Sequence, residues 1–168
     1  MDVVALGELL IDFTENGVSG QGNPLFEANP GGAPCNVLAM LSRLGHRTAF
    51  IGKVGNDFFG KQLEDAITEV GIDAAGLLKD DKVHTTLALV HTYPDGDRDF
   101  SFYRNPGADM MLTEEELPEE IIRGAKIFHF GTLSMTHPGV RAATKKAIAV
   151  AKEAGALISV SYTHLRAH

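Results

Sequence analysis

Apolar residues fall along this chain in two rhythms. Short, mainly apolar runs occur at Val3–Leu6, Thr48–Val54, Ile127–Phe130 and Ala156–Val160. Each is long enough for a strand covered on both faces and too short for a helix. Between them the period lengthens to that of a helix. Val37, Leu38, Leu41 and Leu44 follow Pro34 at helical spacing, and Phe58–Val70 and Pro138–Ala154 carry the same pattern over longer stretches. Glu114–Gly124 predicts a short helix. The end signals agree: Pro34 suits a first turn, Asp57 an N-cap, and Gly45, Gly71 and Gly155 follow the last periodic residues. Residues 14–30 are polar and glycine-rich, with a short strand expected at Leu25–Ala28. Thr85–Thr92 and Arg98–Arg104, rich in β-branched and aromatic residues, flank Tyr93-Pro94-Asp95-Gly96-Asp97 and predict a hairpin. Its Leu87, Leu89, Phe100 and Phe102 recur at period 2, so they are expected to share one apolar face. Strands alternating with helices predict an α/β unit: a mainly parallel sheet with helices on both faces and a small β appendage.

At 168 residues the chain is one domain's worth, and its 18 glycines cluster at the ends of apolar segments. The single cysteine, Cys35, excludes an internal disulfide and a thiolate-cluster metal site. A net charge of −7, with Lys145–Lys146 as the one adjacent basic pair, argues against a nucleic-acid partner. No apolar run approaches a membrane span, and the N-terminus MDVVALGELLID lacks the features of a signal peptide. A cytoplasmic protein is the expectation. His46, His84, His91, His129 and His137 show neither HxxxH nor HExxH spacing, so no metal site is expected.

The last residues break the pattern. Ser161–His168 carry two histidines and an arginine with no period, and VSYTHLRAH resembles one reading frame of a transposase sequencing adapter. Residues 160–168 are therefore expected to be a non-native tail on a cut reading frame.

Three segments bear on chemistry. Asp12 lies just past the first strand, where parallel sheets collect ligands; a carboxylate that grips vicinal hydroxyls and a solvated loop acid fit equally. Gly31-Gly32 permits close approach of a ligand to the backbone, and Asn36, one turn into the following helix, offers the donor and acceptor that a hydroxyl needs. A glycine-rich helix entry with a surface asparagine is the plainer alternative. Cys35 reads as an inert small side chain. Gly55–Lys61 fits GxxxxGK between a strand and a helix, but Gln62 stands where Ser or Thr would hold Mg²⁺ and two phenylalanines fill the loop. A capped helix start explains it better. Gly17–Gly22 is not GxGxxG and reads as a loop.

GELLID, GGAPCNVLAMLSRLG and FIGKVGNDFFGKQLEDAITEVGID, in that order, resemble the N-terminal half of the PfkB/ribokinase-like sugar kinases. FSFYRNPGADMML and HFGTLSM are similar to its fructokinase branch. The resemblance runs from Met1 to about Ser159. It implies a ribokinase-like fold with a lid built from residues 13–29 and 84–104. It implies ATP- and Mg²⁺-dependent phosphorylation of a sugar hydroxymethyl group, with fructose first. A ketodeoxygluconate or nucleoside kinase, or a non-catalytic sugar-binding module, stands as the alternative. Asp12, Gly31, Gly32, Asn36 and Arg104 match positions that hold the sugar. The family's GAGD-type motif, which carries the hydroxyl-activating aspartate and the anion hole, has no match here. No catalytic or nucleotide-binding residue is therefore expected within the chain, and the chain alone is expected to be inactive. Lid-to-lid homodimers among relatives make a homodimer of the parent an expectation.

Overall fold

The computed structural model describes residues 1–93 and 95–161. In chain order the elements are β1 (Val3–Leu6), β2 (Leu10–Val18), β3 (Pro24–Gly31), α1 (Ala33–Arg43), β4 (Thr48–Gly55), α2 (Phe58–Glu69) and β5 (Ile72–Asp80). There follow β6 (Leu87–Thr92), β7 (Arg98–Tyr103), α3 (Glu119–Arg123), β8 (Ile127–Gly131), α4 (Pro138–Glu153) and β9 (Leu157–Ser161). Short 3-10 turns lie at Ala108–Met110 and Thr132–Met135.

Five strands form a wholly parallel sheet in the order β5-β4-β1-β8-β9. Along β1, Val3 and Ala5 enter one core with Leu38, Phe50, Leu63 and Ile67 under α1 and α2. Val4 and Leu6 enter the other with Phe128, Ala143, Ala147 and Ala151 under α4. Burial on both faces is why β1 reads as an unbroken apolar run. The helices stop as expected, at Gly45, Gly71 and Gly155, all with positive φ. Asp57 caps α2 by accepting the Gly60 N–H at 2.8 Å.

A second sheet, β3-β2-β6-β7, rises from the carboxyl ends of the parallel strands. β2–β3 and β6–β7 are antiparallel hairpins, and β2 and β6 join them in parallel, Ile11–Thr14 against Leu87–Val90. Phe13 meets Phe59 of α2 edge to face with ring centroids 5.6 Å apart, which ties the small sheet to the core.

The structure corrects four expectations. Residues 14–30 are not mostly loop but the greater part of the β2–β3 hairpin, whose outer half is exposed and so carries polar residues on both faces. Ile72–Asp80 forms β5, which the run Asp73-Ala74-Ala75-Gly76, poor in strand formers, conceals. The helix expected over Glu114–Gly124 shortens to Glu119–Arg123, because Pro118 has no N–H and keeps Leu117 out of helical geometry. Finally, Ala88 stands opposite Phe102 and Val90 opposite Phe100, so Leu87 and Leu89 lie on the other face of the hairpin from the two phenylalanines. The expected tail begins at Val160 and Ser161, which end β9 beside Phe130 and Gly131; residues 162–168 lie outside those described.

Candidate active site

From β1 the chain builds the parallel sheet outward in both directions, through β4 and β5 on one side and β8 and β9 on the other. The point where the direction changes, beyond the carboxyl ends of β1 and β8, is where sheets of this kind take ligands. Gly7, Glu8 and Gly131 stand there. A Cβ on Gly7 or Gly131 would lie 2.5 or 2.7 Å from the Pro34 ring, so the first turn of α1 is seated directly on the switch point. Glu8 joins the two: its Oε1 accepts the Ala33 N–H at 3.0 Å. Its Oε2 is buried without a partner among the described residues. Burial pushes the Glu8 carboxyl above the usual carboxylate range. Glu8 was not anticipated as a site residue. The signal was one acid set in the apolar run Leu6–Ile11, immediately past a strand.

Asp12 lies on β2 opposite Asn29 of β3, in the same row as Ala88 and Phe102. Its carboxylate is half-buried and has no hydrogen-bond partner among the described residues, and desolvation raises its pKa. Gly31 makes room for it: a Cβ there would stand 2.2 Å from Asp12 Oδ2. Asn29 donates diagonally to Thr14 Oγ1 of the next row at 2.9 Å, and Glu27, Val90 and Phe100 complete that row. A free, partly desolvated acid with aromatic residues two strands away on the same face suits a polyol, whose hydroxyls donate to the acid while its C–H surface can cover apolar side chains.

Gly32 has a φ of 128°, and a Cβ there would strike Glu8 O at 2.3 Å. This turn releases α1, whose Asn36 is exposed four residues on. Asn36 and Gly31 both line a groove of about 240 Å³ between α1 and α2, with Leu9, Ala39 and Ile67. Asp12 and Gly31 are thus in contact, and Gly31 and Asn36 share a groove that Asp12 does not line. Cys35 is buried, and burial pushes its thiol up to about 12, which fits the inert role expected of it.

Arg104 follows β7 and turns inward. Its Nε donates to Asp109 Oδ2 at 2.8 Å and its Nη2 to the same oxygen at 2.6 Å, while its Nη1 reaches Thr136 Oγ1 at 3.2 Å. Its side chain is 10% exposed and that of Asp109 1%. This arginine is an organised part of the junction between the two sheets, not an edge-strand charge in solvent.

The GxxxxGK run is closed to phosphates. A Cβ on Gly60 would stand 1.9 Å from Gly55 O, and one on Gly55 would stand 2.5 Å from Thr85 N. Backbone and Asp57 fill the loop that would have to wrap a ligand. No group of three or more His, Cys, Asp or Glu gathers to hold a metal among the described residues. Among them, too, no helix is long and apolar enough to cross a membrane.

The sequence profile described as "pfkB family carbohydrate kinase" matches residues 1–167. Over 159 residues the chain is 50% identical to Fructokinase-2 of Solanum habrochaites, covering 94% of this chain and 48% of that protein. It is 48% identical to Fructokinase-1 of Zea mays, covering 94% and 49%. Among solved structures, fructokinase from Xylella fastidiosa superposes with a TM-score of 0.91 at 34% identity, covering 97% of this chain and 50% of that one. The Halothermothrix orenii fructokinase gives 0.84 at 31%, covering 95% and 56%. The chain spans about half the length of the curated relatives it matches.

Proposed function

The chain belongs to the pfkB family of carbohydrate kinases, and from that membership we propose that it is the sugar-holding part of a fructokinase. The reaction is transfer of a phosphoryl group from ATP to a hydroxymethyl group of a ketohexose, fructose before other sugars. The observation that carries this is the free, half-buried carboxylate of Asp12, set over Gly31 where the small sheet leaves the parallel one. Asp12 accepts hydrogen bonds from sugar hydroxyls, and Gly31 and Gly32 bring backbone close to the ring. Asn36 and Arg104 supply further donors. The small sheet, residues 13–29 and 84–104, is the lid, and its closure removes water from the transferring group. Relatives named fructokinase at about 50% identity support the substrate assignment.

ATP and Mg²⁺ belong to the full reaction, but the described residues do not fit them. The one glycine-rich loop of the right spacing is filled by its own backbone. The chemistry they supply, an electrophilic phosphorus with its charge neutralised by metal, is therefore assigned outside this chain. Orientation and electrostatics carry nearly all of phosphoryl transfer, so residues 1–168 alone are expected to bind sugar weakly and to transfer nothing. We further propose that the parent is a homodimer through the lid. Phe100 and Phe102 stack with ring centroids 6.0 Å apart and are 43% and 50% exposed.

The test is an ADP-release assay on the full-length protein against fructose, 2-keto-3-deoxygluconate, ribose and nucleosides, beside residues 1–168. Turnover with fructose foremost, and none from the short chain, is the expected result. Preference for another sugar acid or a nucleoside overturns the substrate. Calorimetric sugar binding without turnover in the full-length protein makes it a non-catalytic binder.

A further inference from the structure

Arg104 sits in a built socket. Nε and Nη2 both donate to Asp109 Oδ2, at 2.8 and 2.6 Å, and Nε also reaches Oδ1 at 3.2 Å, a charge-assisted pairing that holds the guanidinium on one carboxylate. Asp109 is itself fixed, because its Oδ1 accepts the Thr86 hydroxyl at 2.5 Å and Thr86 is buried at the entry to β6. Gly107 leaves the room: a Cβ there would stand 1.8 Å from Thr86 Oγ1, 2.8 Å from Asp109 Oδ1 and 2.9 Å from Arg104 Cγ. On the far side Nη1 donates to Thr136 Oγ1, whose hydroxyl is in turn fixed on Leu133 O at 2.7 Å. Nη2 reaches Leu133 O at 3.5 Å.

The socket therefore draws on both ends of the second lid hairpin, Thr86 and Arg104, and on the turn after β8 at the switch point. A guanidinium has five N–H donors. Three are held by Asp109 or Thr136, a fourth is aimed at Leu133, and one on Nη1 has no partner among the described residues. An arginine free in solvent explores many rotamers, whereas this one has a single donor to offer and a fixed place from which to offer it.

We propose that Asp109 is a positioning residue for substrate binding: through Thr86 and Gly107 it fixes the Arg104 guanidinium across the lid–core joint, so that the remaining Nη1 donor meets the sugar in one orientation. This rests on the reading that Arg104 contacts the sugar. Asp109 does not touch substrate. It acts by removing the freedom of the residue that does, and one ångström of misplacement in such a group is worth orders of magnitude in rate or binding.

Two measurements separate this inference from the functional reading beneath it. The first uses ¹⁵N-labelled residues 1–168 and follows the arginine Nε–H signals. One slowly exchanging, shifted signal is expected in the wild type, absent in Arg104→Lys and collapsed into the solvent-exposed group in Asp109→Asn. The second uses the full-length kinase. Asp109→Asn is expected to raise the sugar KM roughly 10- to 100-fold with the ATP KM unchanged. Thr86→Val, which keeps the ion pair and removes one brace, should raise it a few-fold. If Asp109→Asn fails to fold, Thr86→Val carries the test, with a faster-exchanging Arg104 Nε–H signal and a raised sugar KM expected and a wild-type exchange rate with a wild-type KM overturning the proposal. A signal that survives in both variants, or folded variants that lose stability but keep the wild-type sugar KM, overturns the proposal. A full-length protein that phosphorylates no sugar overturns the functional reading instead, while the Nε–H signals still report whether Asp109 holds Arg104.

Discussion

Replacing Asp57 by alanine should destabilise the fold by about 2–4 kcal/mol, concentrated where α2 meets the approach to β6. One carboxylate serves three donors there: the Gly60 N–H at 2.8 Å, the Thr85 N–H at 2.9 Å and the Thr85 hydroxyl at 2.7 Å. The Thr85 oxygen in turn accepts the Gly55 N–H at 3.0 Å, so the network closes on β4. Loss of an N-cap costs about 1 kcal/mol. Thr85 is buried, and leaving its N–H and hydroxyl without the acid adds about 1–3 kcal/mol. With a urea slope of about 2 kcal/mol per molar, the unfolding midpoint falls by about 1–2 M. Asp57→Asn keeps an acceptor for Gly60 but turns an amide donor toward the Thr85 N–H, so it should lie closer to alanine than to wild type.

The pH dependence gives a second check on the same residue. Burial opposes ionisation of Asp57, yet the bonds from Thr85 and Gly60 outweigh it and hold the carboxyl below its ordinary 3.8. Its stabilisation is therefore complete above that value and is lost as pH falls through the lower folded one. Urea titrations of both proteins at pH 7 and pH 3, with amide exchange at Gly60 and Thr85, measure all of this. A difference under about 0.5 kcal/mol at pH 7 with exchange unchanged refutes the reasoning.

Glu8→Gln keeps the acceptor for Ala33 and removes the proton equilibrium. Because the folded Glu8 pKa lies above its ordinary 4.5, wild-type stability from this group is full below 4.5 and is lost as pH climbs through the folded value. The variant should gain on wild type from about pH 4.5 upward in melting curves; a pH-independent gap counts against it. Gly31→Ala sets a methyl 2.2 Å from Asp12 Oδ2 and 3.2 Å from Leu10 Cδ1. About 1–3 kcal/mol of stability is expected to go, and the sugar KM of the full-length enzyme should rise by about tenfold or more. An unchanged KM would separate Asp12 from the sugar. Phe100→Ser with Phe102→Ser should leave the parent monomeric in light scattering at concentrations where the wild type is dimeric, and a wild type that stays monomeric throughout removes the lid dimer.

Elements with two independent signals were legible in the sequence. The helices α1, α2 and α4 each combine an apolar period with a stop glycine, while β1, buried on both faces, is apolar at every position and β4 and β8 are mainly so. β5 had neither advantage, since Asp73, Ala74, Ala75 and Gly76 take strand geometry from their pairing with β4 rather than from propensity. The β2–β3 hairpin is half exposed, so its polar residues look like loop. In the second hairpin the apolar period of each strand was visible but the register was not: one residue of offset in the Tyr93–Asp97 connection exchanges the faces. The site divides in the same way. Asp12, Gly31, Gly32 and Asn36 stand out by their place after a strand and at a helix entry together with the resemblance of their segments, since Asp, Gly and Asn are by themselves ordinary at such ends. Glu8 and Asp109 owe their roles to burial, and burial of an acid leaves no trace in composition.

The parallel seam between β2 and β6 has a further consequence. It joins two hairpins over four residues a side, and Asp12 sits within it, while the tip at Ser19–Asn23 and the β6–β7 connection lie at the far ends of the hairpins. Either tip can be lengthened, trimmed or recharged without altering the paired residues of the seam, because Ile11–Thr14 and Leu87–Val90 include no tip residue. The same sheet thus separates ends that are free to vary from a middle that keeps the Asp12 carboxylate in constant register with β3 and β6.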